Sequence, residues 1–181
     1  MVHRALLLLV ALPLLLVSPA VTPVPAGEGT WPLPAPHEVV HGFDPPDSAY
    51  GAGHRGVDLA GTPGAAVRTA LAGTVTFAGL LAGRGVVVVD HGATRTTYEP
   101  VAATVHLGDR VAAGAVVGRL TTTQSHCFPR ACLHWGLIRN SDDAYLDPLT
   151  LVGTAPIRLL PLWRDLPWGL PLTALLAQAR G

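Results

Sequence analysis

Short apolar runs separated by glycines and polar turns dominate the chain from residue 37 to residue 152. The runs include "TVTFAGLL", "GVVVVDHG" and "CLHWGLIRN", in which Val, Thr and Ile are frequent. Runs rich in β-branched residues that end at glycine turns are typical of antiparallel strands, and this region lacks the period of an amphipathic helix. We therefore predict an all-β domain over residues 37–152, a small antiparallel β-sandwich or barrel.

The N-terminal segment, residues 1–20, has a different pattern. A basic start, "MVHR", is followed by an apolar run from Ala5 to Val17 and by the small residues of "SPA". These are the features of a secretory signal peptide, with cleavage expected after Ala20. An uncleaved anchor is the alternative, but the run is shorter than the roughly 20 residues of a membrane span. We predict an extracytoplasmic protein, either secreted or held in the cell envelope.

Two further segments flank the predicted domain. Residues 21–36 are rich in proline and small residues and are predicted to form an extended linker. Residues 153–181 form an apolar extension that contains several prolines. This extension either packs on the domain or contacts a membrane, the cell wall or a partner. We favour packing, because large exposed apolar patches are uncommon on soluble proteins. We expect the protein to be a monomer.

The charge composition excludes several classes of partner. Twelve basic residues balance twelve acidic ones, so there is no electrostatic basis for binding nucleic acid or an anionic membrane. All the basic residues are arginine. The stretch "GDRVAAGAVVGRL" resembles the hybrid fold of biotin and lipoyl carriers, but those carriers attach their cofactor to a lysine. A chain without lysine cannot be such a carrier.

Candidate metal ligands lie in two separate stretches. "GAGHRGVDLAG" holds His54 and Asp58, whose imidazole and carboxylate groups are ordinary zinc donors. They can converge only if the glycine-rich chain curls, and a surface hydrogen bond is the alternative. His134 lies in an apolar strand, where a buried imidazole needs a partner such as a metal or a backbone carbonyl. Together the three residues would leave a fourth zinc position for water, as a catalytic site requires.

The motifs "GHRGVDLAG", "GTVTFAG", "VVVVDHG", "GDRVAAGAVVGRL" and "CLHWGL" occur in an order that resembles the lysostaphin/LytM-type zinc endopeptidases. The resemblance covers residues 37–152. It implies a small antiparallel β fold with a duplicated hybrid motif and a Zn²⁺ ion held by His54, Asp58 and His134. It also implies that the substrate is a peptide of bacterial peptidoglycan.

The sequence departs from that family at both assisting histidines. The family's His-x-His pair is here Cys132-Leu-His134, and the histidine of its Tyr-x-His segment is replaced by Pro100. General acid–base help contributes about 10²–10⁴ in rate, so these losses matter. Glu99 and His126 are the candidate catalytic replacements. His41 and His106 are further histidines for which the sequence gives no positional argument.

Three interpretations of Cys132 are open. It can bond to Cys127, act as a fourth zinc ligand, or act as a free thiol nucleophile or base. Two cysteines five residues apart in an exported protein favour the disulfide. A bonded Cys132 would then support the strand of His134 structurally and could not act as a base.

Two functions follow from these observations. The first is a secreted zinc metalloendopeptidase of the cell wall with an altered set of proton-handling groups. The second is a non-catalytic relative that binds peptidoglycan or regulates another cell-wall hydrolase. The retained ligand residues favour the first function, because a scaffold has no need for an open zinc site.

Overall fold

The computed structural model describes residues 28–48 and 51–153. These residues form eleven strands and one short 3₁₀ helix, Pro148–Val152, so the predicted all-β class is confirmed. The strands, in chain order, are β1 Val39–His41, β2 Val57–Gly61, β3 Ala66–Arg68, β4 Gly73–Leu81, β5 Arg84–Asp90, β6 Thr94–Glu99, β7 Val101–Ala103, β8 Arg110–Val111, β9 Val116–Leu120, β10 Ala131–Arg139 and β11 Tyr145–Leu146.

The strands form two antiparallel sheets. The larger sheet has the order β1-β2-β10-β6-β5-β4-β8, with β11 paired to β10, and the smaller has the order β3-β9-β7. Strand β10 pairs with β2 on one side and with β6 on the other. The chain therefore brings three strands that are distant in sequence side by side in the middle of the large sheet.

Strand β10 is buried on both faces, and its two faces have different chemistry. Leu133, Trp135 and Leu137 are almost fully buried and belong to the hydrophobic core. Each fully buried side chain of this kind stabilises the fold by about 1.5–3 kcal/mol. Successive strand residues face opposite sides, so Cys132 and His134 point away from the core. Trp135 therefore fills the core.

A tight hairpin joins β4 to β5. Its two loop residues, Ala82 and Gly83, have φ values of +50° and +83°. Positive φ at both loop positions is the geometry that matches the twist of a two-residue hairpin, and glycine adopts it without steric cost. The turn places Arg84 at the first position of β5, next to the loop that precedes β10.

Part of the predicted linker lies against the domain. Leu33 is buried in the core, and the Pro32 carbonyl accepts a hydrogen bond from the Arg68 backbone N–H at 2.9 Å. The predicted signal peptide, residues 1–20, and nearly all of the C-terminal extension lie outside the described residues. Within the described part of the chain, no helix has the length and apolar character needed to cross a bilayer.

Candidate metal centre

Three adjacent strands carry polar residues on the face opposite the core. Asp58 of β2 is the ladder partner of His134 on β10, and His134 is in turn the partner of Glu99 on β6. Because ladder partners project to the same face of a sheet, all three side chains lie on one side. The registers of β2, β10 and β6 therefore place an acid on each side of a central histidine.

His54 reaches this face from outside the strands. Its backbone forms an isolated bridge with Asp44, and its Nδ1 lies 2.6 Å from the Gly42 carbonyl oxygen. That carbonyl can only accept, so Nδ1 carries the proton and the lone pair of Nε2 faces the cluster. The chain curls between His54 and Asp58 at Gly56, where a Cβ would overlap the Trp135 carbonyl oxygen. The predicted curl through a glycine-rich stretch is therefore present.

The three predicted ligand residues converge to a small triangle. His54 Nε2 lies 3.0 Å from His134 Nδ1 and 3.2 Å from Asp58 Oδ1, and His134 Nδ1 lies 2.9 Å from that same oxygen. Tetrahedral zinc with bonds of about 2.0–2.1 Å has ligand atoms roughly 3.3 Å apart. Two imidazole nitrogens and one carboxylate oxygen at this spacing fit a zinc ion with small outward movements.

The electrostatics of the cluster keep Asp58 ionised. Burial raises the pKa of this carboxyl group, whose side chain is 2% exposed. The hydrogen bond to His134 and the electrostatic influence of the His134, His126 and His54 rings outweigh burial and bring the pKa of Asp58 below its usual value. An ionised carboxylate is the form that binds a metal.

A fourth group, His126, joins the cluster from the loop between β9 and β10. Its Nδ1 lies 3.2 Å from both carboxylate oxygens of Asp58. The ligand atoms of His54, Asp58, His126 and His134 all lie within 4.8 Å of one another. His126 is also the most accessible of the four, with a side chain 35% exposed. The structure thus brings one of the two sequence-derived catalytic candidates directly to the predicted ligands.

The carboxylate of the other catalytic candidate, Glu99, lies outside the cluster. Its Oε1 accepts a hydrogen bond from Arg84 Nη1 at 3.1 Å, and the same Nη1 lies 3.2 Å from His126 Nε2. Among the described residues, Glu99 is not one of the groups whose ligand atoms cluster around Asp58. It is linked to the cluster through Arg84 and His126.

The predicted disulfide between Cys127 and Cys132 is present. Ser125 organises the small loop that it closes, because its Oγ accepts hydrogen bonds from the backbone N–H groups of Cys127 at 3.2 Å and Cys132 at 3.0 Å. The disulfide lies between His126 and His134, and both sulfurs come within 4.8 Å of an Asp58 oxygen. Since both thiols are oxidised, the thiolate-ligand and nucleophile hypotheses for Cys132 do not describe this structure.

Two residues near the cluster could not be placed from the sequence: His41, which was a candidate without a positional argument, and Arg84. The His41 ring stacks on the His54 ring at a centroid distance of 4.0 Å, and its Nδ1 lies 3.8 Å from Asp58 Oδ2. Arg84 had been given no role. The position of His41 follows from the pairing of β1 with β2, which no motif in the sequence indicates. His106 is almost fully exposed beside Asp109 and lies outside the cluster.

The fold and the cluster together define a class of protein. It is a small antiparallel β domain that carries, on one face of its main sheet, a cluster of histidines and an aspartate able to hold a metal ion. A sequence model of peptidase family M23 matches residues 52–148. The chain therefore belongs to peptidase family M23, which is typically zinc-dependent. The domain is accordingly of the peptidase type, and the resemblance to lysostaphin/LytM-type proteins is confirmed.

Relatives and solved structures agree with this assignment. Uncharacterized proteins of Mycobacterium tuberculosis and Mycobacterium bovis are 50% identical over 135 residues, covering 73% of this chain. The chain spans only 54% of the length of those relatives. The structure of Helicobacter pylori Csd3 matches 72% of this chain and 36% of its own, with 25% identity and a TM-score of 0.59.

The antimicrobial peptidase lysostaphin from Staphylococcus simulans shares the fold. It matches 67% of this chain and 53% of its own, with 24% identity and a TM-score of 0.56.

Proposed function

We propose that this protein is a zinc metalloendopeptidase that hydrolyses peptide bonds in bacterial cell-wall peptidoglycan. The observation that carries the proposal is the triangle of His54 Nε2, Asp58 Oδ1 and His134 Nδ1, with sides of 2.9–3.2 Å. Membership of a peptidase family supports the type of reaction. The signal-peptide pattern of residues 1–20 supports action outside the cytoplasm.

His54, Asp58 and His134 are the residues that would hold the zinc ion. Zinc in such a site lowers the pKa of a bound water molecule and polarises the carbonyl group under attack. Each ligand is oriented by a second contact: Gly42 fixes the His54 ring, and the β2–β10 ladder fixes Asp58 against His134. Such outer contacts are needed because ligands that rotate freely bind a metal weakly.

His126 is the residue that we propose as the replacement for one of the lost histidines. It is the fourth group of the cluster, it approaches Asp58 to 3.2 Å, and it lies on the accessible side of the site. The reaction adds water across a peptide bond: a C–O bond forms, the C–N bond breaks, and the proton passes to the leaving amine. A group that stabilises the carbonyl oxygen or handles this proton has to lie beside the ligands, as His126 does.

The test is hydrolysis of purified cell wall by the full, oxidised, zinc-loaded chain. New amino groups released from the wall are measured over time. We expect release by the wild-type protein, at least about 100-fold less release by His54→Ala, and unchanged release by His106→Ala. His106→Ala is the matched control because that histidine is exposed and outside the cluster.

A different outcome would favour the alternative function, in which this protein binds peptidoglycan without hydrolysing it. If the wild-type chain folds, binds zinc and sediments with cell wall but releases no amino groups, the protein binds peptidoglycan without cutting it. If His54→Ala releases amino groups as fast as the wild type, the proposed site is wrong.

A further inference from the structure

Arg84 contacts His126 in a way that determines where the imidazole proton lies. Arg84 Nη1 is 3.2 Å from His126 Nε2. A guanidinium group has donors and no acceptor, so Nε2 has to present its lone pair to Arg84. A neutral imidazole that accepts at Nε2 carries its proton on Nδ1.

The opposite side of the ring requires the same tautomer. His126 Nδ1 lies 3.2 Å from both oxygens of Asp58, and an ionised carboxylate only accepts hydrogen bonds. Nδ1–H therefore points towards the proposed ligands, while the lone pair points away from them towards Arg84. His126 presents a donor, and no base, to the cluster.

We infer that Arg84 is a positioning residue that fixes His126 as the Nδ1–H tautomer, so that His126 acts in the proposed reaction as a hydrogen-bond donor to the substrate carbonyl oxygen. The catalytic part of this inference rests on the proposed function. Donors aimed at the oxygen on which charge develops contribute about 10²–10³ in rate. The water's proton then has to go to a group other than His126.

Arg84 is itself held in place. Its Nη1 also donates to Glu99 Oε1 at 3.1 Å, and both side chains are only about a quarter exposed, at 26% and 21%. A second contact joins the same hairpin to the loop of His126, because Gln124 Nε2 donates to the Ala82 carbonyl at 3.2 Å. Glu99 therefore acts through Arg84. The β4–β5 hairpin contacts the loop that carries His126 and holds it from one side.

The tautomer is tested by ¹⁵N NMR of the full, oxidised chain with ¹⁵N-labelled histidine, with and without zinc. The His126 signals are assigned by their absence from His126→Asn. We expect a protonated Nδ1 and an unprotonated Nε2 in both states, and a shift towards protonated Nε2 in Arg84→Ala. A wild-type signal with protonated Nε2 would overturn the inference. So would a zinc-dependent change at Nδ1, which would make His126 a fourth ligand.

The donor role is tested by the rate of cell-wall hydrolysis. An asparagine side chain can place an amide N–H near the position of Nδ1 but cannot act as a base. We expect His126→Ala to lower kcat about 100-fold or more and His126→Asn to recover most of that loss. Equal loss in both variants would overturn the donor role even if the protein is a peptidase.

The positioning role is tested at Arg84. Arg84→Ala should lower kcat about 10- to 100-fold with KM and zinc content unchanged, and Arg84→Lys should restore part of it. Arg95→Ala is the matched control, because Arg95 is similarly exposed and paired with Asp143 away from the cluster. Unchanged kcat in Arg84→Ala, or an equal loss in Arg95→Ala, would overturn this role. If the wild-type chain does not cut cell wall, the proposed function fails, and the NMR experiment still decides the tautomer.

Discussion

Asp58 and His134 are direct partners in the antiparallel ladder of β2 and β10, and their side chains meet on the outer face with Asp58 Oδ1 2.9 Å from His134 Nδ1. The two residues are 76 positions apart in the sequence. Backbone pairing, rather than side-chain flexibility, therefore sets the distance between two of the proposed ligands.

Removing this carboxylate should abolish tight zinc binding. Asp58→Ala leaves two imidazoles and no anionic ligand, so we expect the zinc dissociation constant to rise at least about 100-fold. Titration with zinc against a competing chelator measures it. Asp142→Ala removes an exposed carboxylate that pairs with Arg139 and should bind zinc as the wild type does. Full zinc occupancy in Asp58→Ala would contradict the ligand assignment.

Removing the disulfide should destabilise the fold. Closing a loop of this size lowers the entropy of the unfolded chain by an amount worth about 2 kcal/mol. The double variant Cys127→Ser and Cys132→Ser should therefore unfold at lower urea concentration than the oxidised wild type. A thiol reductant should destabilise the wild type and leave the double variant unchanged. Equal stability of the oxidised wild type and the double variant would show that the disulfide adds nothing to the stability of the domain.

The fold should become less stable as the pH falls, in part because of His91. Its Nδ1 lies 2.9 Å from the Ala72 carbonyl and its Nε2 lies 2.8 Å from Thr96 Oγ1. Burial lowers the pKa of His91 and outweighs the Ala72 carbonyl and the Asp90 charge, which raise it. The unfolded chain therefore takes up this proton at higher pH than the folded protein does. The stabilisation is complete above the unfolded pKa of about 6.5 and is lost as the pH falls through the lower, folded value.

Urea unfolding of the metal-free protein between pH 7.5 and 5 measures this contribution. His91→Gln should show a smaller loss of unfolding free energy over that range than the wild type. His106→Gln, which changes an almost fully exposed histidine, should keep the wild-type slope. Identical slopes in His91→Gln and the wild type would mean that His91 is not a source of the pH dependence.

Adding one methyl group at Gly56 should disturb the proposed zinc site through the His134 ring. A Cβ there would overlap the Trp135 carbonyl oxygen and lie 2.9 Å from His134 Cε1 and Nε2. We expect Gly56→Ala to weaken zinc binding about 10- to 100-fold and to destabilise the fold by about 1–3 kcal/mol. Gly42→Ala is the matched control, because a Cβ at Gly42 meets nothing within 4 Å and the carbonyl that orients His54 is kept. Wild-type zinc affinity in Gly56→Ala would show that the His134 ring is not confined there.

The β class was accessible from the sequence because its signals are local. Glycine turns and β-branched runs mark the strands, and period-two alternation along β10 places His134 on the face opposite Trp135. The same alternation along β6 places Glu99 on the face opposite the buried Tyr98. The choice of His54, Asp58 and His134 as a set came from the resemblance to a family, since their separation in sequence gives no such information.

The surroundings of the cluster could not be predicted because they depend on strand register. His41 faces Asp58 only because β1 pairs with β2 across an irregular register. Arg84 contacts His126 only because the two-residue turn before β5 and the ten-residue loop before β10 lie next to each other. Neither contact has a sequence motif, and both required the arrangement of whole strands.

The position of β10 has a consequence for when the proposed zinc site can form. This strand is near the end of the described chain, yet it supplies His134 and inserts between β2 and β6. Contacts between residues so far apart form late, because the intervening loop has to close first. His54 and Asp58 alone leave the proposed site one ligand short until β10 is in place. Zinc capture would then mark the completion of folding, and a chain truncated before β10 would lack the proposed site.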